Sequence, residues 1–285
     1  MKKHRFKIAF LSTLLALVVG GSFFVAHASW QFNASASPME NIGVAVTNWT
    51  FDDLPVTPEN TIVVNSDGSV TILDENGNPT ELEAEVSYPE GETVETHGGS
   101  VSIELGVVDG EIVVTDYSAT GMNSGSGIFG VRDSTIVFPA SIEIEGTNYP
   151  IVSISEPVEI SASNGLIRGS TCDVQIPEGY KTICDDAFQN VSASGSGWGT
   201  TTFTFNLPST LTYLGNHAIK LNVSGGSVTV NFAGTVAQFK TLVSNSASAY
   251  GSGYSFFTAS GTTRCTVNCS DSQVVYNQDG TVYSG

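Results

Sequence analysis

Apolar residues recur in the same order in two stretches of this chain. Asp173–Asn190 reads DVQIPEGYKTICDDAFQN, and Thr204–Leu221 reads TFNLPSTLTYLGNHAIKL. They superpose at an offset of about 31 residues, a period typical of arrays of stacked units. Val174 matches Phe205, Ile176 matches Leu207 and Pro177 matches Pro208. Ile183 matches Leu214, Ala187 matches Ala218 and Phe188 matches Ile219. The apolar positions coincide while the polar ones drift, as expected of units that share one core and differ on their solvated sides. Val174-x-Ile176 and Phe205-x-Leu207 alternate with polar residues, so each predicts a short half-buried strand. The following proline donates nothing to a sheet ladder and ends the strand.

Other segments carry the period-2 pattern without the repeat. Thr61–Asn65, Ser69–Leu73 and Leu82–Ser87 alternate, and Val101–Val108 and Glu111–Thr115 do so on either side of Asp109-Gly110. The Asp-Gly and Asn-Gly pairs between these runs predict hairpins. We expect residues 44–117 to form a sandwich-like β domain over the N-terminal edge of the array, where an uncovered end would expose apolar area and unpaired backbone. Ser118–Gly127 is expected to be a joint, and Gly195–Thr202 a Gly/Ser/Thr-rich insertion carrying Trp198. After Gly234-Thr235, the spacing of Val236, Phe239, Leu242 and Val243 predicts a short helix that shields the last unit. Ser244–Ser255 follows as a Ser/Gly/Tyr loop, and residues 244–285 as a C-terminal cap ending in strands.

The frame IPxGxxxIxDxAF followed by LPSTLxxLGxxAI resembles the BspA-like class of bacterial leucine-rich repeats found in surface proteins. Thr135–Ser155 is similar to the first coil of such arrays, and Val228–Val243 to the last, with Phe239 where that class usually has tryptophan. Val158 and Glu159 stand where an Ala-Phe pair would be expected. The resemblance covers about half of the chain and implies a leucine-rich-repeat solenoid over residues 128–243, few short helices, and a role in adhesion or recognition. The expected class is mainly β.

The start of the chain changes the picture of where it works. Lys2, Lys3, Arg5 and Lys7 precede an apolar run from Ile8 to Ala26, and Ala26-His27-Ala28 offers small residues at a cleavage site. Residues 1–28 read as a secretory signal peptide, with an uncleaved membrane anchor as the alternative for a run of this length. Residues 29–43 would be a linker. The sequel Ser29-Trp30-Gln31-Phe32 resembles precursors from Gram-positive bacteria cut by the endoplasmic-reticulum-type signal peptidase. The expected location is outside such a cell or on its surface, with membrane contact only through the leader during export.

Charge and composition narrow the partners. The 285-residue chain has 10 Lys+Arg and 28 Asp+Glu, a net charge of −18. Four basic residues and no acidic one lie in the leader, which leaves 6 against 28, or −22, for the mature chain. Such a surface repels phosphate backbones, so nucleic acid is not an expected partner. Secretion permits disulfides, and Cys172, Cys184, Cys265 and Cys269 allow two bridges in three connectivities. A Cys172–Cys184 bridge fits a chain that folds back between them. Cys265 and Cys269 are too far apart in one straight strand, about 13 Å, unless a turn intervenes.

The candidate chemistry is sparse. His97 and His217 are the only histidines of the mature chain, and His217 occupies a drifting polar position whose counterpart is Asp186. That gives no base for a nucleophile triad, no donor set for zinc, and no phosphate loop or cofactor fingerprint. The pairs Asp52-Asp53, Asp74-Glu75 and Asp185-Asp186 allow a glycosidase to be imagined, but nothing places two carboxylates across a cleft. Asp74-x-Asn76-x-Asn78 has the spacing that opens a calcium loop, yet Pro79 stands where that loop needs glycine, and the segment also reads as a hairpin turn. The favoured expectation is therefore a non-catalytic binding protein without cofactor or metal. Its ligand would be an extracellular protein or a cell surface, met through outward strand residues Gln175, Asn206 and Thr229. Trp198 would either anchor a ligand or fold back on the array. A structural component of an extracellular matrix is the alternative, and a glycan-active hydrolase comes third.

Overall fold

The computed structural model describes residues 54–65, 67–90, 100–120, 134–162, 171–188, 190–193, 202–221, 227–259 and 264–284. All belong to one compact unit, Trp49–Gly285. The leader, the linker 29–43, His97 and Trp198 lie outside them.

The first strands are β1 (Thr61–Val64), β2 (Val70–Leu73), β3 (Ala84–Ser87), β4 (Ser100–Val108) and β5 (Glu111–Thr120). The hairpins predicted at Asp67-Gly68 and Asp109-Gly110 are formed. Asp109 and Gly110 have φ of 52° and 79°, the double left-handed turn whose twist matches that of the flanking strands. At Asn76-Gly77 the turn is closed by Asp74, whose Oδ1 accepts the Asn76 and Asn78 N–H groups. A hairpin turn thus occupies the segment that had calcium-loop spacing.

Next come β6 (Ser134–Val137), the hairpin β7 (Ser141–Ile144) and β8 (Thr147–Ile154), then β9 (Glu159–Ala162), β10 (Thr171–Gln175), β11 (Thr182–Ile183) and β12 (Asn190–Ala193). They are followed by β13 (Thr202–Leu207), β14 (Tyr213–Leu214), β15 (Ile219–Leu221) and β16 (Ser227–Phe232). Helix α1 (Val236–Tyr250), β17 (Phe257–Ala259), β18 (Arg264–Asn268) and β19 (Gln273–Asn277) complete the described chain.

The architecture is mainly β, with mixed sheets. One sheet runs β6-β10-β13-β16-β18-β19, parallel except for β19 at its edge. The other contains two parallel ladders, β8-β11-β14 and β9-β12-β15-β17, which meet at β5. The sequence offset reappears as strand register: Val174 lies opposite Phe205, Thr182 opposite Tyr213 and Ile183 opposite Leu214. Side chains obey the same interval. Glu178 accepts from the Ser209 N–H at 2.8 Å, 31 positions away, and Asp185 from the Asn216 N–H at 2.7 Å, also 31 away. Asp186 and His217 both adopt φ near +50°, a region that Asp and His enter more readily than most residues. This backbone requirement accounts for His217 where its counterpart is an acid.

Alternation buries one side of each strand. Cys172, Val174, Phe203, Phe205, Val228, Val230, Cys265 and Val267 all point into a single apolar core. Tyr117, Phe138, Tyr180, Phe188 and Phe205 form an aromatic run through it. Phe239 of α1 joins Phe232, Phe256 and Tyr276 in a second one.

Three expectations are corrected. The boundary at 117 falls inside β5: Ser118 and Ala119 pair with Glu159 and Ile160 of β9, so backbone partners extend the strand into the expected joint. Because β5 also pairs with β8, the N-terminal strands share a sheet with the rest and do not stand as a separate sandwich. Residues 244–250 are helical and not a loop, so the cap boundary at 244 cuts through α1. The helix starts at a capping box, Thr235 with Gln238, and its polar half is held from outside. The fully buried Ser246 accepts the Leu214 N–H at 2.9 Å, and the Tyr254 hydroxyl donates to the Leu214 carbonyl at 2.7 Å. Strand β14 ends its ladder, so these two side chains satisfy the backbone groups that a further strand would have met.

Third, the Cys172–Cys184 bridge is not formed, and all four cysteines are free thiols. Cys172 points into the core from β10, while Cys184, after β11, lies half-buried beside a surface groove.

Candidate ligand-binding face

The side of the six-stranded sheet turned away from the core carries two rows. Parallel strands in register put like positions side by side, about 4.8 Å apart from strand to strand. One row is Thr135, Asp173, Thr204, Thr229 and Thr266, on five successive strands. The next is Gln175, Asn206, Asn231 and Asn268. Within each strand the two rows are separated by one inward residue, roughly 6.6 Å along the chain.

The amides form a ladder. Asn268 Nδ2 donates to Asn231 Oδ1 at 2.9 Å, Asn231 Nδ2 to Asn206 Oδ1 at 2.8 Å, and Asn206 Nδ2 to the Val174 carbonyl at 3.3 Å. Each interior amide is thereby oriented, and each retains one N–H and one lone pair. The hydroxyls differ: those of Thr204, Thr229 and Thr266 make no hydrogen bond to another described residue. The charged side chains on the face stand near opposite ends, Asp173 on β10 and Arg264 on β18. Arg264 lies 3.6 Å over the Tyr283 ring, a cation–π contact that engages its guanidinium.

At the C-terminal ends of the strands, a shallow groove of about 250 Å³ adjoins the amide row. Asn206, Asn231 and Glu178 meet Ile176, Leu207, Pro208, Phe232 and Ala233 there. The Glu178 carboxylate is already occupied by the Ser209 and Thr210 N–H groups and the Ser209 hydroxyl.

Gln175, Asn206 and Thr229 thus share one face, as their parity predicted. Gln175 and Asn206 are direct neighbours, and Thr229 sits in the adjoining row. Asn231, Asn268, Thr204 and Thr266 belong to the same surface and were missed. The recurring -x-Thr-x-Asn of TFTFN, SVTVN and RCTVN carried the signal. The spacing hid it, because Asn231 follows Asn206 by 25 residues and Asn268 follows Asn231 by 37.

A second groove, of about 590 Å³, runs along the β8-β11-β14 ladder and is lined by Ser155, Glu156, Cys184, Asp185, Asp186 and Tyr213. Two of its three acids are committed, and Glu156 is exposed. Asp185 accepts from the Tyr213 hydroxyl and the Asn216 N–H, and Asp186 lies 3.4 Å from Lys220 Nζ. Burial, with Glu156 and Asp185 adding to it, pushes the Cys184 thiol up to about 12, so it is a neutral and weak nucleophile near pH 7. Burial and the hydrogen bond to Asp185 push the Tyr213 phenol up to about 12 as well. Among the described residues, no three His, Cys, Asp or Glu side chains converge as metal ligands would. The chain was compared with protein-family models, with curated proteins and with solved structures, and none matches it significantly.

Proposed function

We propose that this chain is a secreted or cell-surface binding protein without catalytic activity of its own. In this reading, a short BspA-like leucine-rich-repeat solenoid, closed at its N-terminal end by β5, presents the six-stranded sheet to an extracellular protein or a cell surface. The leader sequence favours export, and the resemblance favours the surface of a Gram-positive bacterium. The 31-residue offset shared by sequence, strand register and side-chain hydrogen bonds supports the repeat assignment.

The observation that carries the functional reading is the strict register of the Thr and Asn rows on the outward face. Thr is favoured on half-exposed strands in any case, so the reading leans on the hydroxyls themselves, which bond no other described residue and are aligned across three strands. The test is a pull-down with the mature chain, Ser29 onward, against extracellular host and bacterial fractions. A variant with Gln175→Lys and Thr229→Lys serves as the comparison. A ligand held by the native chain and released by the variant is the expected result. Identical capture by both would remove the face from the function. Concentration-dependent assembly of the native chain in light scattering, without capture, would favour the matrix component.

A further inference from the structure

The outward face, if it is the binding surface proposed above, has a composition that selects among ligands. We infer that it binds an uncharged polysaccharide whose chain runs across the strands. The inference rests on that reading of the face and adds the class of ligand.

Four observations lead there. Charge comes first. The chain carries a net charge of −18, yet the two rows contain one charged side chain, Asp173; Arg264 flanks them near the other end against Tyr283, and Glu178 borders the amide row with its carboxylate taken up by Ser209 and Thr210. A polyanion is repelled by the molecule at large, and a polycation would be drawn to carboxylates elsewhere. An uncharged ligand meets neither effect here.

Hydrogen-bonding capacity is second. The hydroxyls of Thr204, Thr229 and Thr266 bond no other described residue, and the oriented Asn206–Asn231–Asn268 amides add donors and acceptors beside them. A surface with both kinds of group matches sugar hydroxyls, which also donate and accept. Third, the rows lack aromatic side chains, the anchors that dominate protein–protein interfaces. The shallow groove beside Asn206 and Asn231 does not replace them: its Leu207 and Phe232 side chains belong to the core, and Glu178 lines it as well. Fourth, the side chains repeat at the strand separation of about 4.8 Å, close to the advance per residue of an extended β-linked glycan, so successive sugars can meet equivalent groups.

The experiment uses the full mature chain and three insoluble uncharged polysaccharides, cellulose, chitin and a β-1,3-glucan, with anionic alginate for contrast. Depletion from solution is measured at low and high salt. The variant carries Thr204→Val, Thr229→Val and Thr266→Val, which keeps side-chain shape and strand preference and removes hydroxyls that make no bond within the described protein. Its melting temperature and near-ultraviolet circular dichroism check the fold.

Retention of the native chain by at least one uncharged polysaccharide is expected, insensitive to salt and weakened about tenfold or more in the variant. The inference is overturned if none of the three retains the native chain, if the variant is retained equally, or if salt abolishes retention. Capture of a protein ligand that the variant loses, with no polysaccharide retained, overturns the carbohydrate class and leaves the face as a binding surface.

Discussion

Replacing Ser246 by alanine tests how the β8-β11-β14 ladder ends. Ser246 is fully buried on α1, and its hydroxyl accepts the Leu214 N–H at 2.9 Å. Leu214 is also fully buried, so water cannot replace the lost partner without local opening. An unpaired buried N–H costs about 1–3 kcal/mol. Alanine returns up to about 0.5 kcal/mol through its higher helix propensity, so the net loss should be about 1–2 kcal/mol. For a chain of this size that corresponds to a fall in Tm of roughly 2–8 °C. Denaturant titration gives the stability, and amide hydrogen exchange at Leu214 localises the effect. Selective loss of Leu214 protection, beyond the global change, is the expected signature. Stability within about 0.3 kcal/mol of native together with unchanged Leu214 exchange would refute the account, because the edge would then be satisfied in some other way.

Three further outcomes follow from the same geometry. A Cβ at Gly215 would come within 2.2 Å of the Cys184 carbonyl oxygen and 2.4 Å of the Asp185 nitrogen; Gly215→Ala should cost about 3 kcal/mol or more, read as a lowered Tm, since backbone cannot step aside as a side chain can. Asn231→Asp removes the donor that meets Asn206 Oδ1 and sets two acceptors face to face. Its folded-state pKa should therefore be raised above the unfolded value of about 3.9, so the variant's deficit relative to the native chain should be full near pH 7 and shrink as pH falls through the raised pKa toward about 4, seen in melts of both proteins at the two pH values. Under native, non-reducing conditions at pH 8, Cys172 and Cys265 should resist alkylation, since burial pushes both thiols up to about 12, and peptide mapping should find no Cys172–Cys184 link.

What could be read from the residues depended on which interactions leave a trace in sequence. Parallel strands in register need matching apolar positions, so Val174/Phe205 and Ile183/Leu214 announced their pairing at a fixed offset. Hairpin turns need particular residues, so Asp67-Gly68 and Asp109-Gly110 announced theirs. The second half of α1 left a weaker trace. Residues 244–249 are Ser, Asn and Ala, Ser246 is held by the distant Leu214, and the Thr-x-x-Gln capping box at the start of the helix was the one local sign. The short strand β15 is explained by its backbone partners β12 and β17, which no local pattern encodes. The Gln175, Asn206 and Thr229 face followed from alternation alone, whereas Asn231 and Asn268 required comparing strands by their internal spelling and not by their distance apart.

Strand β5 gives the molecule a direction. It is the template on which both ladders of the larger sheet begin, through β8 on one half of its length and β9 on the other. Later strands in these ladders dock on a neighbour that precedes them in the chain. A polypeptide emerging amino end first would always find the receiving edge already synthesised. Shortening it from the carboxyl end should remove strands one layer at a time, while deleting Glu111–Thr120 should deprive both stacks of their starting point at once.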